Sequence, residues 1–219
     1  MKIIKYEPEK YMFRELVSSV FDTSDLDKIH EKRGDLLPPE ELCFENESRT
    51  KFHETFYKKL NSEWPAFINS YDAFVKNEIY PLFKRKIVYQ KTPSFRVHLP
   101  GNKAIHKWHW DSDEDHLHPE WEINFQIALT NIYNTNAMWV ESVPGLRDYK
   151  PIEMKYGEFA AFDGNRCAHG NKSNKENKTR MSFDFRVIPY ERYIEDGKAS
   201  ITSNKKFVIG EYYNVCDLG

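Results

Sequence analysis

Two periodicities divide the chain. Up to about residue 85, apolar side chains recur every three to four positions: Phe67, Tyr71, Phe74, Val75, Ile79, Leu82 and Phe83 form one stripe, and Phe52, Phe56 and Leu60 a shorter one. Such spacing places each set on one helix face. It predicts a helix over 49–60 and another reaching residue 83, the second capped by Asn61 or Ser62. A further helix is predicted near 10–21, and "RGDLLPPEELCFENES" (33–48), with its glycine and paired prolines, reads as loop. After residue 86 the period shortens to two. "SFRVHLP" (94–100), "EINFQIALT" (122–130), "AMWVES" (137–142), "EFAAF" (158–162) and "TRMSFDFRVI" (179–188) read as strands separated by Gly, Pro and Asn turns. Helices followed by several short strands predict an α+β chain, a sandwich or jelly roll over 86–190 with a mainly helical layer over 1–85 on one side. Residues 191–219 are expected to add a tail or a hairpin around Asp196-Gly197. A length of 219 residues suits a single domain over 1–219.

Composition narrows the classes. Apolar residues at 40% and aromatics at 15% exclude a disordered chain, while 30% charged residues imply a very polar surface. The net charge of −2 is spread over interspersed residues of both signs, and the run Lys84, Arg85, Lys86 sits where a helix C-terminus favours cations. No nucleic-acid partner is therefore expected. "MKIIKYEPEKYMF" lacks the apolar region of a signal peptide, and no apolar run approaches the roughly 20 residues of a membrane span. A soluble cytoplasmic protein without membrane contact is expected. Cys43, Cys167 and Cys216 have no metal-type spacing and fit free thiols in a reducing compartment.

The chemistry concentrates in "HKWHWDSDEDHLH" (106–118), which holds four of the eight histidines and four acids. In a strand, residues two apart face the same way, so His109-Trp110-Asp111 aims an imidazole and a carboxylate at one point. One such pair is a common chance match. A facial triad for non-haem iron(II) needs a second histidine from a distant strand. Downstream of residue 118 the chain has one histidine, His169, placed after the strand-like "GEFAAF" and the turn-like "DGN". His118-Pro119-Glu120 repeats the spacing, but Pro119 suits neither a central strand nor a rigid ligand pair. His116, His118, Asp113 and Asp115 read as a polar loop at the mouth of the site. Zinc is the competing metal, since these histidines could supply its donors.

Eleven residues beyond His169, Arg180, Ser182, Asp184 and Arg186 face one side of a strand, and Met181, Phe183, Phe185 and Val187 the other. Arg180 and Ser182 could grip a carboxylate, because a guanidinium matches it with a planar fork and the hydroxyl adds a donor. Glu122, Asn124 and Gln126 form a second polar row, with Ile123, Phe125 and Ile127 opposite. Glu122, Asn124, Trp139, Glu141 and His106 are candidate substrate contacts, a carboxylate beside an aromatic face suiting a cationic or hydroxyl-rich small molecule.

His-x-Asp, a long gap, His, then Arg and a nearby Ser resembles the iron(II) and 2-oxoglutarate-dependent oxygenases. Within them, "HWDSDEDHLHPEWEINFQIALTNIYNTNAMWVES" and "FDGNRCAHGNKSNKENKTRMSFDFRV" resemble the phytanoyl-CoA dioxygenase-like branch and the StrG-type proteins of streptomycin biosynthesis. The likeness spans about residues 94–190. It implies a double-stranded β-helix, the cupin-like jelly roll, with His109, Asp111 and His169 as iron ligands and Arg180 and Ser182 on the distal carboxylate of 2-oxoglutarate. It further implies use of O2 and, by default, hydroxylation of a small polar metabolite resembling a sugar, an amino acid or an antibiotic precursor. Halogenases of this kind lack the carboxylate ligand, so Asp111 argues against halogenation. Two other classes share the architecture: a cupin-like metal isomerase or hydrolase, against which Arg180 and Ser182 argue, and a non-catalytic binding module, which would leave the intact constellation unexplained.

Overall fold

The computed structural model describes residues 1–32, 50–104, 107–195, 197–201 and 203–219. The predicted loop 33–48, Cys43, His106 and Asp196 lie outside the described residues. Three helices form a layer: α1 (Phe13–Val20), α2 (Lys51–Asn61) and α3 (Pro65–Phe74). Beyond α3 the chain passes through a π-helical turn, Val75–Ile79, into the short α4 (Tyr80–Phe83). Pro81 sits in the first turn of α4 and has no N–H to return to the preceding turn, which accounts for the widened ladder before it.

Two boundaries differ from the sequence-based expectation. The first helix starts at Phe13 because Met12 is held left-handed at φ 50°. Neither Asn61 nor Ser62 caps α3: Asn61 ends α2, Ser62 is its C-cap, and α3 opens on Pro65 behind Trp64. Proline is preset for the first helical position, so no side-chain cap is needed there.

The strands are β1 (Lys2–Lys5), β2 (Ile87–Gln90), β3 (Ser94–His98), β4 (Ile123–Ala128), β5 (Met138–Val140), β6 (Lys150–Ile152), β7 (Glu158–Phe162), β8 (His169–Asn171), β9 (Arg180–Pro189) and β10 (Tyr213–Cys216). A large sheet runs β1-β7-β4-β9-β2-β10 with β3 also on β9, and a small sheet runs β6-β5-β8. All these pairings are antiparallel. The strand β9 is the spine: one edge pairs β4, and the other pairs β3 along its first half and β2 along its last three residues. In the tail Ala199 and Lys206 form an antiparallel bridge, Phe207 N–H reaching Lys198 O at 3.0 Å. Beyond it, strand β10 pairs with β2 at the edge of the large sheet.

Alternation along β9 and β4 sorts the interior into two compartments. Met181, Phe183, Phe185, Val187, Phe125 and Ile127 join the apolar cluster under α1, α2 and α3. Phe183 is the hub, with ring centroids 5.2 Å from Phe67, 5.5 Å from Phe56 and 5.9 Å from both Phe13 and Phe95. On the other face of the large sheet, Ala128, Ala160 and Phe162 pack with Met138, Val140 and Ile152 of the small sheet. Among the described residues no helix is long and apolar enough to cross a membrane. Phe183→Ala should destabilise the protein by about 3–5 kcal/mol through the cavity it leaves, read as a lowered urea midpoint; a change under about 1 kcal/mol would mean that the helical layer does not depend on this contact.

Candidate metal centre and cavity

The His-x-Asp pair and the distant histidine meet. His109 pairs with His169 through a two-way backbone bridge, His109 N–H to His169 O at 3.1 Å and His169 N–H to His109 O at 2.8 Å. Gly170 allows this close approach, since a Cβ there would lie 2.8 Å from the ring of Trp108. Asp111 Oδ1 is 3.7 Å from His109 Nε2 and 3.6 Å from His169 Nε2. All three residues are buried, and one ligand atom from each lies within 4.8 Å of the others.

Each donor is held in a fixed orientation. His109 Nδ1 donates to Lys107 O at 3.0 Å and His169 Nδ1 to Cys167 O at 3.1 Å, so both rings present an Nε2 lone pair toward Asp111. Burial pulls the His169 imidazole down to about 4, which keeps it neutral. The Oδ2 atom of Asp111 accepts from Asn124 Nδ2 at 2.7 Å and from Arg186 at 2.9 and 3.0 Å, leaving Oδ1 for the histidine side. Burial alone would raise the Asp111 carboxyl; Arg186, with His109 and the neighbouring histidines, holds it well below the usual carboxylate range.

His118 and Glu122 form a second acid-base group that shares Asp111. His118 is not paired with Glu120, which is exposed; its Nδ1 is 2.8 Å from Glu122, whose other oxygen accepts from Tyr213. Leu117 and Trp121 are held left-handed at φ 58° and 70°, turning the loop so that His118 N–H reaches Asp111 O at 3.0 Å. Glu122 is thus occupied by Tyr213 and His118 and does not line the cavity described below. Asn124 touches the carboxylate of Asp111 instead of open space.

Trp139 and Glu141 also differ from their expected placement. Val140 is the residue opposite His169, so its neighbours Trp139 and Glu141 belong to the other face of β5. Trp139 is covered by the Lys172 ammonium at 3.2 Å. Glu141 accepts three backbone N–H groups, from Ala168 at 2.7 Å, Arg147 at 2.9 Å and Gly145 at 3.0 Å, pinning the loop after β5 to the approach of β8. Its burial favours the neutral acid, but those three donors hold the carboxyl below its ordinary value.

Arg180 is 2% exposed and donates to Ser182 Oγ at 3.0 Å and Asn136 O at 3.3 Å. No carboxylate of the described residues pairs with it, and burial lowers it to about 10. Gln126 Nε2 reaches Ser182 at 3.3 Å and Asp184 at 3.2 Å. In the same network Gln126 Oε1 and Asn136 Nδ2 are buried without a hydrogen-bond partner.

A cavity of about 340 Å³ opens from His109 and Asp111 toward α2 and the tail. Its far wall includes His53, Tyr57 and Arg96, which carry no motif in the sequence, and Lys205 comes from the segment before β10. Arg96 Nε donates to Asp184 at 2.9 Å. Burial, with the Arg96 cation, depresses the His53 imidazole to about 3.

The chain is similar to the streptomycin biosynthesis protein StrG of Streptomyces griseus, with 28% identity over 211 residues, 96% of each chain. No family model matches it. Among solved structures it is similar to the non-heme alpha-ketoglutarate-dependent carbocyclase SnoK from nogalamycin biosynthesis, with a TM-score of 0.51 and 14% identity over 97% of this chain and 88% of that one. CytC3, solved with Fe(II) and alpha-ketoglutarate, has a TM-score of 0.46 and 16% identity over 86% of this chain and 72% of its own.

Two measurements check the electrostatics. Arg186→Met should cost about 3–5 kcal/mol in urea unfolding, because it leaves the Asp111 carboxylate buried without its cation; an unchanged midpoint would mean that Asp111 is not charged in the folded protein. The unfolded chain protonates His53 near pH 6.5 whereas the folded protein holds off to about 3, so stability falls as the pH drops through that window. His53→Gln should flatten the slope by up to one proton, and an identical slope would place the proton uptake elsewhere.

Proposed function

We propose that the protein is a non-haem iron(II) and 2-oxoglutarate-dependent oxygenase with a double-stranded β-helix, or jelly-roll, core, and that it hydroxylates a small polar metabolite. The observation that carries this reading is the convergence of two Nε2 atoms and one carboxylate oxygen, each oriented by a hydrogen bond on its far side. A donor set of two histidines and one carboxylate leaves coordination positions open and suits iron(II). The likeness to SnoK supports the fold, and the 28% identity with StrG over nearly the whole of both chains supports a role in small-molecule biosynthesis.

In this reading His109, Asp111 and His169 hold the metal, while Arg186 and Asn124 fix which oxygen of Asp111 faces it. Arg180 and Ser182 hold the distal carboxylate of 2-oxoglutarate. A buried guanidinium without an anion, beside the unpartnered Nδ2 donor of Asn136, is the environment a carboxylate would complete. When bound, iron(II) and 2-oxoglutarate supply the oxidation of a C–H bond by O2, coupled to the conversion of 2-oxoglutarate to succinate and CO2. The side chains supply orientation and exclude water, the phenyl-lined helical layer closing one side of the large sheet.

The test is anaerobic addition of Fe(II) and 2-oxoglutarate, expected to produce a visible charge-transfer band. His109→Ala, Asp111→Ala and His169→Ala should abolish the band and Fe(II) binding while circular dichroism is retained. Unchanged iron affinity in the His169 variant would sink the metal assignment. Arg180→Lys should weaken 2-oxoglutarate by roughly 30-fold to several thousand-fold without altering Fe(II) affinity, because a lysine cannot offer two parallel charge-assisted bonds. Ser182→Ala, losing one neutral donor, should cost only about 0.5–1.5 kcal/mol.

A further inference from the structure

The cavity wall is basic. Asp111 is its one acidic side chain among the described residues, against Arg96, Arg186 and Lys205. Arg186 is already committed to Asp111 at 2.9 and 3.0 Å. Arg96 is different: its Nε is tied to Asp184, while its two terminal nitrogens make no bond to the described residues although the side chain is only 18% exposed. A planar fork fixed through its Nε and presented to a cavity is preorganised for a bidentate oxyanion. Lys205 stands at the mouth with no acidic partner among the described residues. Between these cations the wall carries neutral hydrogen-bonding groups, Asn61, Thr92, Ser94, Ser200 and Ser203, alongside the apolar surfaces of Pro93, Phe95 and Tyr212. At about 340 Å³ the space is at the small end of ligand sites.

We propose that this cavity binds the primary substrate, and that the substrate is a small polyhydroxylated molecule bearing one acidic oxyanion group, a carboxylate or a phosphate, held by the Arg96 fork with Lys205 at the entrance. His53 and Tyr57 border the same end of the cavity. Their placement suits hydroxyl contacts: the neutral His53 ring is anchored by Thr50 at 2.8 Å, and the Tyr57 hydroxyl, which accepts from Phe95 N–H at 3.0 Å, keeps its own proton to donate. The assignment rests on the oxygenase reading for the chemistry performed, but the binding claim stands on the cavity alone. Arg180 lies outside the wall of this cavity, so the co-substrate and the acidic group of the substrate are assigned to different arginines.

Calorimetry with three matched probes tests it: sorbitol, gluconate and sorbitol 6-phosphate, each titrated into the metal-free full-length protein and into the Co(II)-loaded protein with 2-oxoglutarate. At least one acidic polyol should bind about tenfold or more tighter than sorbitol, with affinity falling as salt is raised. A preference for gluconate or for the phosphate ester identifies the acidic group. Arg96→Gln should weaken the acidic probe by about 30-fold or more and leave 2-oxoglutarate affinity unchanged. The surface variant Lys205→Glu, which threatens no buried contact, should weaken it by about fivefold. Equal binding of sorbitol and the acids, no binding of any probe, or an Arg96→Gln protein that loses 2-oxoglutarate instead would each overturn the proposal. If Co(II) and 2-oxoglutarate fail to bind while the acidic polyol still does, the anion pocket stands and the oxygenase reading falls.

Discussion

Burial of both faces of one strand is the constraint from which the rest of this molecule follows. In β9 every residue from Arg180 to Ile188 is buried, yet alternate side chains are chemically opposite. The apolar set needs only a partner surface, which the helical layer provides. The polar set cannot be covered so simply, because a charge removed from water requires a counter-charge or a saturated set of hydrogen bonds. Arg186 finds Asp111, Asp184 finds Arg96 and Gln126, and Ser182 bridges Arg180 and Gln126. Arg180 alone in the row lacks an opposite charge among the described residues.

Function grows out of how those requirements are met. The Arg186–Asp111 pair draws the loop carrying His109 onto the sheet, and Asn124 of the neighbouring strand completes the grip. A side chain placed there to neutralise β9 therefore also presents its second oxygen to two imidazoles. The groups left incomplete, Arg180 and the terminal nitrogens of Arg96, are those with capacity for outside anions. A polar interior of this kind lowers stability and is tolerated where ligands finish it.

The large-scale plan is legible because long elements carry long patterns. The stripe from Phe67 to Ile79 and the alternation from Arg180 to Ile188 each span several repeats and the observed elements follow them, whereas Leu82, beyond the π-helical turn, is exposed. Strands β6 and β8, three residues each, are too short to display a period, and β1, β2 and β10 are four residues long. The association of His109, Asp111 and His169 can be reasoned from spacing and from the scarcity of downstream histidine. Trp139 and Glu141 elude such reasoning because their face depends on register: only the pairing of Val140 with His169 reveals that its neighbours turn away. His53, Tyr57 and Arg96 escape notice for another reason. They lie on α2 and β3, outside the histidine-rich run, and only tertiary packing brings them to one cavity.

The contact between Gly170 and Trp108 bears on how freely this chain can drift. Gly170 lies between His169 and Asn171 and has no side chain to contribute, so by its own chemistry it looks replaceable. Trp108, however, is lodged with its ring 4.3 Å from that of Tyr149 and precedes His109 directly in the chain. A methyl group at 170 would have to displace the indole of the residue that leads into the His109–His169 bridge. Mutational tolerance at this spot is thus set by a neighbouring indole, and even alanine, usually the mildest replacement, would act as a wedge.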